Sequence, residues 1–392
     1  MVSKKSNNAI NIISWISVIA IAFTTAALVI ILSAMNGLTD VVSNLYNTLE
    51  PDLKMTVAKG KYFDPSKTLL QDIQNTNGVL MISKSITDKA LIKNNEQQVL
   101  TTVKGVDEKF DQITNIRSAI TEGIYALQDT TGNRLVLGKG IANQIQLNMS
   151  SFVNDVSLLS PARGKISSIN VQDALNQIYC NASGIFSLND EFDYTFVFVN
   201  IKTADRLFDA ANRVTAIEIK CEDGMIDETQ TLLQQKYGDK FIIKNRYQAN
   251  DVLFKSLETE KVATFFILAF ILVIATFNMI GALTMLIIEK KKDIKTLYHM
   301  GANQFMIRQI FMREGFLITG IGAFIGLIIG LLVCLVQIKF HLVKFGNEFV
   351  VAYYPIKLMV KDFIWILGLI MLIGFFAALY PVRVFTKTDL LH

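Results

Sequence analysis

Four windows of this chain contain no Asp, Glu, Lys or Arg: 6–39, 262–288, 315–338 and 363–382. A helix rising about 1.5 Å per residue needs roughly 20 mostly apolar residues to cross a hydrocarbon layer, and every window reaches that length. The chain is therefore expected to cross a membrane four times. Composition agrees: 51% of the 392 residues are hydrophobic, only 18% are charged, and the mean hydropathy is +0.38. That balance is foreign to an ordinary soluble domain.

Between the first two windows the chemistry changes. Residues 36–261 carry 24 basic and 28 acidic side chains, a net charge of −4 against +8 for the remainder. Such a stretch reads as a folded domain in water. The expected organisation is 1–35 for the N-terminal residues and first transmembrane helix, 36–261 for an outer domain with helical stalks, and 262–288 for the second helix. A charged segment 289–314, a third helix 315–338, an outer loop 339–362, a fourth helix 363–382 and a tail 383–392 complete it.

Basic residues set the orientation, because they resist translocation. Lys4, Lys5, Lys290, Lys291, Lys292, Lys295, Arg308, Arg313, Arg383 and Lys387 would share one side, against Lys339, Lys344, Lys357 and Lys361 on the other. This expectation puts both termini and 289–314 in the cytoplasm, and 36–261 outside. The first window is longer than the roughly 7–15 residues of a signal-peptide core and no A-x-A site comes after it, so it reads as a retained anchor. Cys180 and Cys221 share the outer segment, where a disulfide is chemically allowed, and the sequence leaves their pairing open.

The first apolar helix is expected to continue past Asn36 to Glu50, where Pro51 stops it. Alternating 53–59 predicts a strand, Asp64-Pro65 opens a helix to about Asn75, and two β-branched runs meet at Asn94-Asn95. A second group comes next in the chain. TGNRLVLGKGIANQIQL predicts a turn, a strand and a helix; FVNDVSLLSPARGKISSINVQ and YTFVFVNI predict strands; TADRLFDAAN opens a helix on Thr203. VTAIEIKCED and a helix over 226–237 close the domain, giving two α+β lobes in one insertion. From Gln248 one helix should run from water into the second span, and Tyr380-Pro381 should end the fourth. Thr24 to Ala27 form a small-residue face in the first span. Gly322, Gly326 and Gly330, four apart, predict close helix packing in the third, within the bundle or against a second copy.

Chemistry of its own is not expected. GNRLVLGKG at 132–140 has one residue too many for a phosphate loop and Gly140 where Ser or Thr would hold magnesium. His299, His341 and His392 lack any ligand spacing, so no metal is implied. The apolar windows hold no acidic or basic residue, which argues against an ion pathway. Pairs such as Glu222-Asp223 and Asp227-Glu228 read as solvated charge, leaving no catalytic residue and no enzyme.

The segment 289–314 is different in kind. Ile294, Leu297 and Tyr298 recur at helical spacing, Gly301-Ala302 interrupts, and Ile307, Ile310 and Phe311 resume, predicting two short helices at an angle. Joined to the start of the third apolar window, it reads EKKKDIKTLYHMGANQFMIRQIFMREGFLITGIGAFIGLIIG, which resembles the shared core of the FtsX-like permeases, membrane subunits of type VII ABC transporters. The opening SKKSNNAINIISWISVIAIAFTTAALVIILSAMNGLTD, with Met35-Asn36-Gly37, is similar to the lipoprotein-releasing permeases of that family. The patterns at 138–145, 160–166 and Gly184 to Phe186 look like its MacB-like periplasmic core domain.

The resemblance implies a membrane protein with four transmembrane α-helices and a large two-lobed α+β extracytoplasmic domain between helices 1 and 2, in the bacterial inner membrane. It implies a separate ABC ATPase that binds ATP and magnesium, a second permease copy or paralogue, a lipoprotein substrate, a periplasmic carrier and membrane lipid as partners, and no nucleic acid. Glu289, Lys290, Asp293, Ile294, Leu297, Met300, Gly301 and Ala302 would couple to the ATPase. Ile12, Ile16, Ile19, Phe23, Met35, Phe254, Phe265 and Phe266 would line the substrate path. Export of peptides or toxins, as in MacB-like relatives, and control of a cell-wall hydrolase, as in FtsX, are the other roles this family allows.

Overall fold

The computed structural model describes residues 8–129, 132–149, 154–162, 175–344 and 353–385. Lys4, Lys5, Lys387, His392 and residues 163–166 of the SPARGKI segment lie outside them. The chain divides into two units, Val42–Val252 and the chain on either side of it.

Among the described residues eleven strands build the inserted unit: β1 (Leu53–Val57), β2 (Val79–Asn94), β3 (Gln97–Val106), β4 (Ile120–Gly123), β5 (Gln128–Asp129), β6 (Gly132–Gly138), β7 (Asp155–Pro161), β8 (Leu175–Phe186), β9 (Phe196–Asn200), β10 (Ala216–Cys221) and β11 (Phe241–Asn245). They run in the order β11-β1-β10-β2-β3-β9-β6-β8-β4, with β7 joining β2 to β8 and β5 beside β6. The long β2–β3 hairpin is shared by both predicted lobes, so they are two ends of one hydrogen-bonded path. Its two-residue turn places Asn95 at φ 52°, a conformation asparagine tolerates better than most residues. Ile86, Ile92, Val103, Leu135, Val197 and Ile217 belong to one buried core running beneath it.

Among the described residues seven short α-helices pack in this unit, besides a 3-10 turn at Ile116–Ala119: α2 (Lys67–Gln74), α3 (Phe110–Ile113), α4 (Lys139–Gln144), α5 (Asp190–Asp193), α6 (Ile201–Phe208), α7 (Ile226–Tyr237) and α8 (Arg246–Ala249). Caps account for several boundaries that differ from expectation. Ser66, not Pro65, caps α2, its hydroxyl accepting from the Leu69 N–H. Asn200 caps α6 by accepting from the Lys202 N–H at 2.9 Å, so that helix starts before Thr203. The edge strand β11 is an addition to the expected elements. The helix expected from Gln248 is in fact α8, opened by an Asn245/Gln248 capping box, and then a new helix from Asp251. Gly184 to Phe186 form the end of β8. Cys180 and Cys221 are both buried free thiols.

The other unit is a bundle of α1 (Asn8–Leu49, up to Val41), α9 (Asp251–Glu289, from Leu253), α10 (Lys291–His299), α11 (Gln304–Phe340) and α12 (Val360–Phe385). All but α10 are long and apolar enough to cross a membrane. Val18, Ile21, Leu28, Leu272, Met279 and Ile318 are among the residues of its buried core. A Cβ on Gly322 would lie 2.9 Å from Ile21, one on Gly330 2.7 Å from Val29, and one on Gly326 would meet the Ala22 carbonyl. The glycine face therefore packs within the chain, against the small-residue side of α1. Two expectations fail here. Pro381 does not end the fourth span: α12 runs through it to Phe385. And the second half of 289–314 is no separate short helix, because Gln304 begins α11 itself.

Candidate functional site

The two ends of the bundle differ in chemistry. At one end α9 stops at Glu289, and α10 lies between it and α11. The α10 C-terminus closes through two backbone bonds, Gly301 N–H to Tyr298 O and Ala302 N–H to Leu297 O, both at 3.0 Å. This pattern needs a left-handed residue just past the helix end, and Gly301 supplies it at φ 98°. Asn303 then caps α11, its side chain accepting from the Met306 N–H at 2.8 Å. The sequence Met300-Gly301-Ala302-Asn303 is thus a stop signal joined directly to a start signal.

Ile294 anchors this elbow. It is buried with Ile287, Ile307, Phe311 and Val382, which come from α9, α11 and α12. The opposite side of the elbow stays open. Leu297 is 39% exposed, Met300 78%, Phe305 67% and Met306 55%, with Tyr298 also exposed. An apolar group of this kind, outside the apolar windows and beside Lys290, Lys291, Lys292 and Lys295, has the make-up of a surface that a soluble partner covers. Lys290 and Asp293 pair with each other at 3.0 Å, so that ion pair is local. Glu289 is the last residue of α9, and Ala302 supplies the N–H of the turn.

At the other end the polar groups turn inward. Asn36 of α1 is 3% exposed. Its amide nitrogen donates to Asp362 of α12, and its amide oxygen accepts from Lys261 Nζ of α9 at 2.6 Å. Lys261 lies 3.9 Å from Asp362 as well. Nearby, Lys357 pairs with Asp40, the Lys357 N–H donates to Ser33 O at 3.0 Å, and Gly37 leaves room for the Pro355 carbonyl, which a Cβ would strike. One buried asparagine thus cross-ties three apolar helices. In the sequence Met35-Asn36-Gly37 stands out only as a family likeness. The available signal is that Lys261 and Asp362 each stand directly before a charge-free window with opposite sign.

The predicted path residues do not form one surface. Ile12, Ile16, Ile19 and Phe23 make an exposed stripe along α1, and Phe266 is exposed on α9. Met35 is buried, Phe265 packs on the bundle core, and Phe254 lies in the first turn of α9. No group of His, Cys, Asp and Glu among the described residues could hold a metal ion.

The family described as the MacB-like periplasmic core domain matches residues 14–236, and that described as the FtsX-like permease C-terminal matches residues 265–390. Over 99% of its length the chain is 24% identical to the lipoprotein-releasing system transmembrane protein LolC of Neisseria meningitidis, spanning 95% of that protein. It is 22% identical to the lipoprotein-releasing system transmembrane protein LolE of Haemophilus influenzae, over 96% of this chain and 93% of that one. The solved periplasmic region of MacB from Actinobacillus actinomycetemcomitans aligns with 55% of the chain and 97% of its own, at a TM-score of 0.37 and 11% identity.

Proposed function

The chain belongs to the permeases that join a MacB-like periplasmic core domain to an FtsX-like C-terminal half, and from that premise we propose that it extracts lipoproteins from the outer leaflet of the inner membrane. A separate ABC ATPase would bind ATP and magnesium and drive it from the cytoplasmic side, and a second permease, identical or paralogous, would complete the complex. The released lipoprotein would pass to a soluble periplasmic carrier. Likeness to lipoprotein-releasing proteins along 99% of the chain carries this reading.

The physical task fits a lever with no catalyst of its own. Exposing a lipid anchor to water costs about 0.8 kcal/mol per methylene, so release needs both an energy source and a shielded route. Helices α1 and α9 run unbroken from apolar sequence into charged sequence, ending at Leu49 and beginning at Asp251. A tilt imposed at the α9–α10 elbow would travel along α9 without a flexible joint. The exposed stripe from Ile12 to Phe23 would meet acyl chains or the second permease.

The test is binding of a fluorescent triacylated lipoprotein to the complex in detergent, with its non-acylated form as control. Saturable binding that ATP reverses supports the reading. Equal treatment of both forms would move the chain toward peptide export or hydrolase control.

A further inference from the structure

The inserted unit contains a cavity that the proposed lever does not use. Its volume is about 130 Å³, and it lies where the end of α1 (Leu49) and α8 (Arg246, Ala249) meet β1, β3 and β9. That is room for several waters or one small organic molecule. Phe192, Phe196 and Phe198 form an aromatic wall. The remaining lining is mostly cationic.

Lys54, Lys104, Lys244 and Arg246 line the cavity against one carboxylate, Glu50. Two of these cations have carboxylates of their own: Lys104 Nζ lies 2.9 Å from Glu218, and Arg246 pairs with Asp52. Lys54 and Lys244 form no ion pair among the described residues, yet they stand directly opposite each other across β1 and β11. Like charges so placed are destabilising unless an anion answers them. Glu50 offsets Lys54 electrostatically, which still leaves one positive charge in excess.

Two polar groups in the wall add to this. Thr87 Oγ1 is buried with no hydrogen-bond partner among the described residues, a hydroxyl that a bound acceptor would satisfy. Lys104 is 8% exposed and its partner Glu218 is fully buried. Burying such a pair is costly, and nothing in the packing of a β-sheet requires it. Glu218 takes two of the bonds of the Lys104 ammonium, at 2.9 and 3.2 Å, and the Phe110 ring lies 4.5 Å from it.

We propose that this cavity binds a small organic anion, a carboxylate on a compact apolar body, with the charge at the Lys54 and Lys244 rim and the body against Phe192 and Phe196. The site joins the end of α1 to α8 across the sheet, so occupancy stiffens the place where both helical connections enter the inserted unit. It is independent of the cargo. Burial raises the Glu50 carboxyl above its usual range, against the lowering pull of Lys54, Lys104 and the Asn250 amide and with the push of Glu218. Neutral Glu50 no longer repels an anion. Affinity therefore rises as the pH falls through the raised Glu50 value while the ligand stays ionised.

The probe is 4-fluorophenylacetate, tracked by fluorine NMR on the complete chain in detergent. The expected result is saturable binding that phenylacetate displaces and 2-phenylethylamine does not, tightening as the pH is lowered from 8 for as long as the ligand stays ionised. Lys244→Glu, at an exposed rim position, should weaken it about tenfold without lowering the melting temperature, since it replaces a like-charge pair with Lys54 by an opposite-charge one. Glu50→Gln should bind at least as well and lose the pH dependence. Absence of saturable binding across that range, equal displacement by the amine, or an unaltered Lys244→Glu affinity overturns the proposal.

Discussion

The two ends of the helix bundle solve opposite problems. Around Gly301 the chain leaves Leu297, Met300, Phe305 and Met306 in the open, although burying each would be worth about 1.5–3 kcal/mol. Around Asn36 it hides polar groups that would be cheaper in water and satisfies them with one another. The first arrangement loses hydrophobic stabilisation unless something covers it. The second gains hydrogen bonds only while α1, α9 and α12 stay together. One end leaves apolar side chains uncovered, as the proposed docking of an ATPase would require, and the other holds its own helices in register.

The contrast breaks most sharply if the exposed end is recharged. Leu297→Asp with Met300→Asp should cost at least about 3 kcal/mol of ATPase association, more than a hundredfold, because apolar anchors dominate such interfaces. Pull-down of the ATPase reads this, and the melting temperature of the chain should not move. The buried end should answer in the reverse way. Lys261→Met leaves the Asn36 oxygen and Asp362 without their cation, so unfolding in detergent should come about 2 kcal/mol sooner while ATPase pull-down persists. Asp362→Asn, which keeps a hydrogen-bonding group beside Asn36, should recover part of that loss.

Smaller changes sharpen the picture. Gly301→Ala puts a Cβ on a residue at φ 98° and should weaken the elbow by about 1–2 kcal/mol, read as faster amide exchange at Ala302. Lys290→Ala removes only an exposed ion pair and should stay within about 0.5 kcal/mol by melting.

Much of this architecture is legible because its signals are local. Charge-free windows mark the four long helices, and Asn94-Asn95 marks the hairpin that both lobes share. The helix expected over 226–237 is α7 itself. Gly322, Gly326 and Gly330 announce a close approach without naming the partner, which the structure identifies as α1. The cross-tie leaves only a faint trace in the sequence, opposite charges directly before two charge-free windows, for a physical reason: Lys261 and Asp362 lie 225 and 326 positions from Asn36, and no local pattern pairs residues so far apart. The cavity is hidden likewise, since Lys54 and Lys244 become neighbours only through the pairing of β1 with β11. Pro381 misleads because a proline read as a stop can sit inside a helix when packing holds both sides, as Val382 does in the elbow core.

The most direct test is cross-linking in native membranes of Met300→Cys, where the three buried native thiols stay silent. With the ATPase subunit co-expressed and a short thiol-to-amine cross-linker added, an ATPase adduct should form at position 300 and not at Tyr179→Cys in the inserted unit. An adduct at 179 with none at 300 would contradict the assignment of the elbow as the point where the ATPase's motion enters.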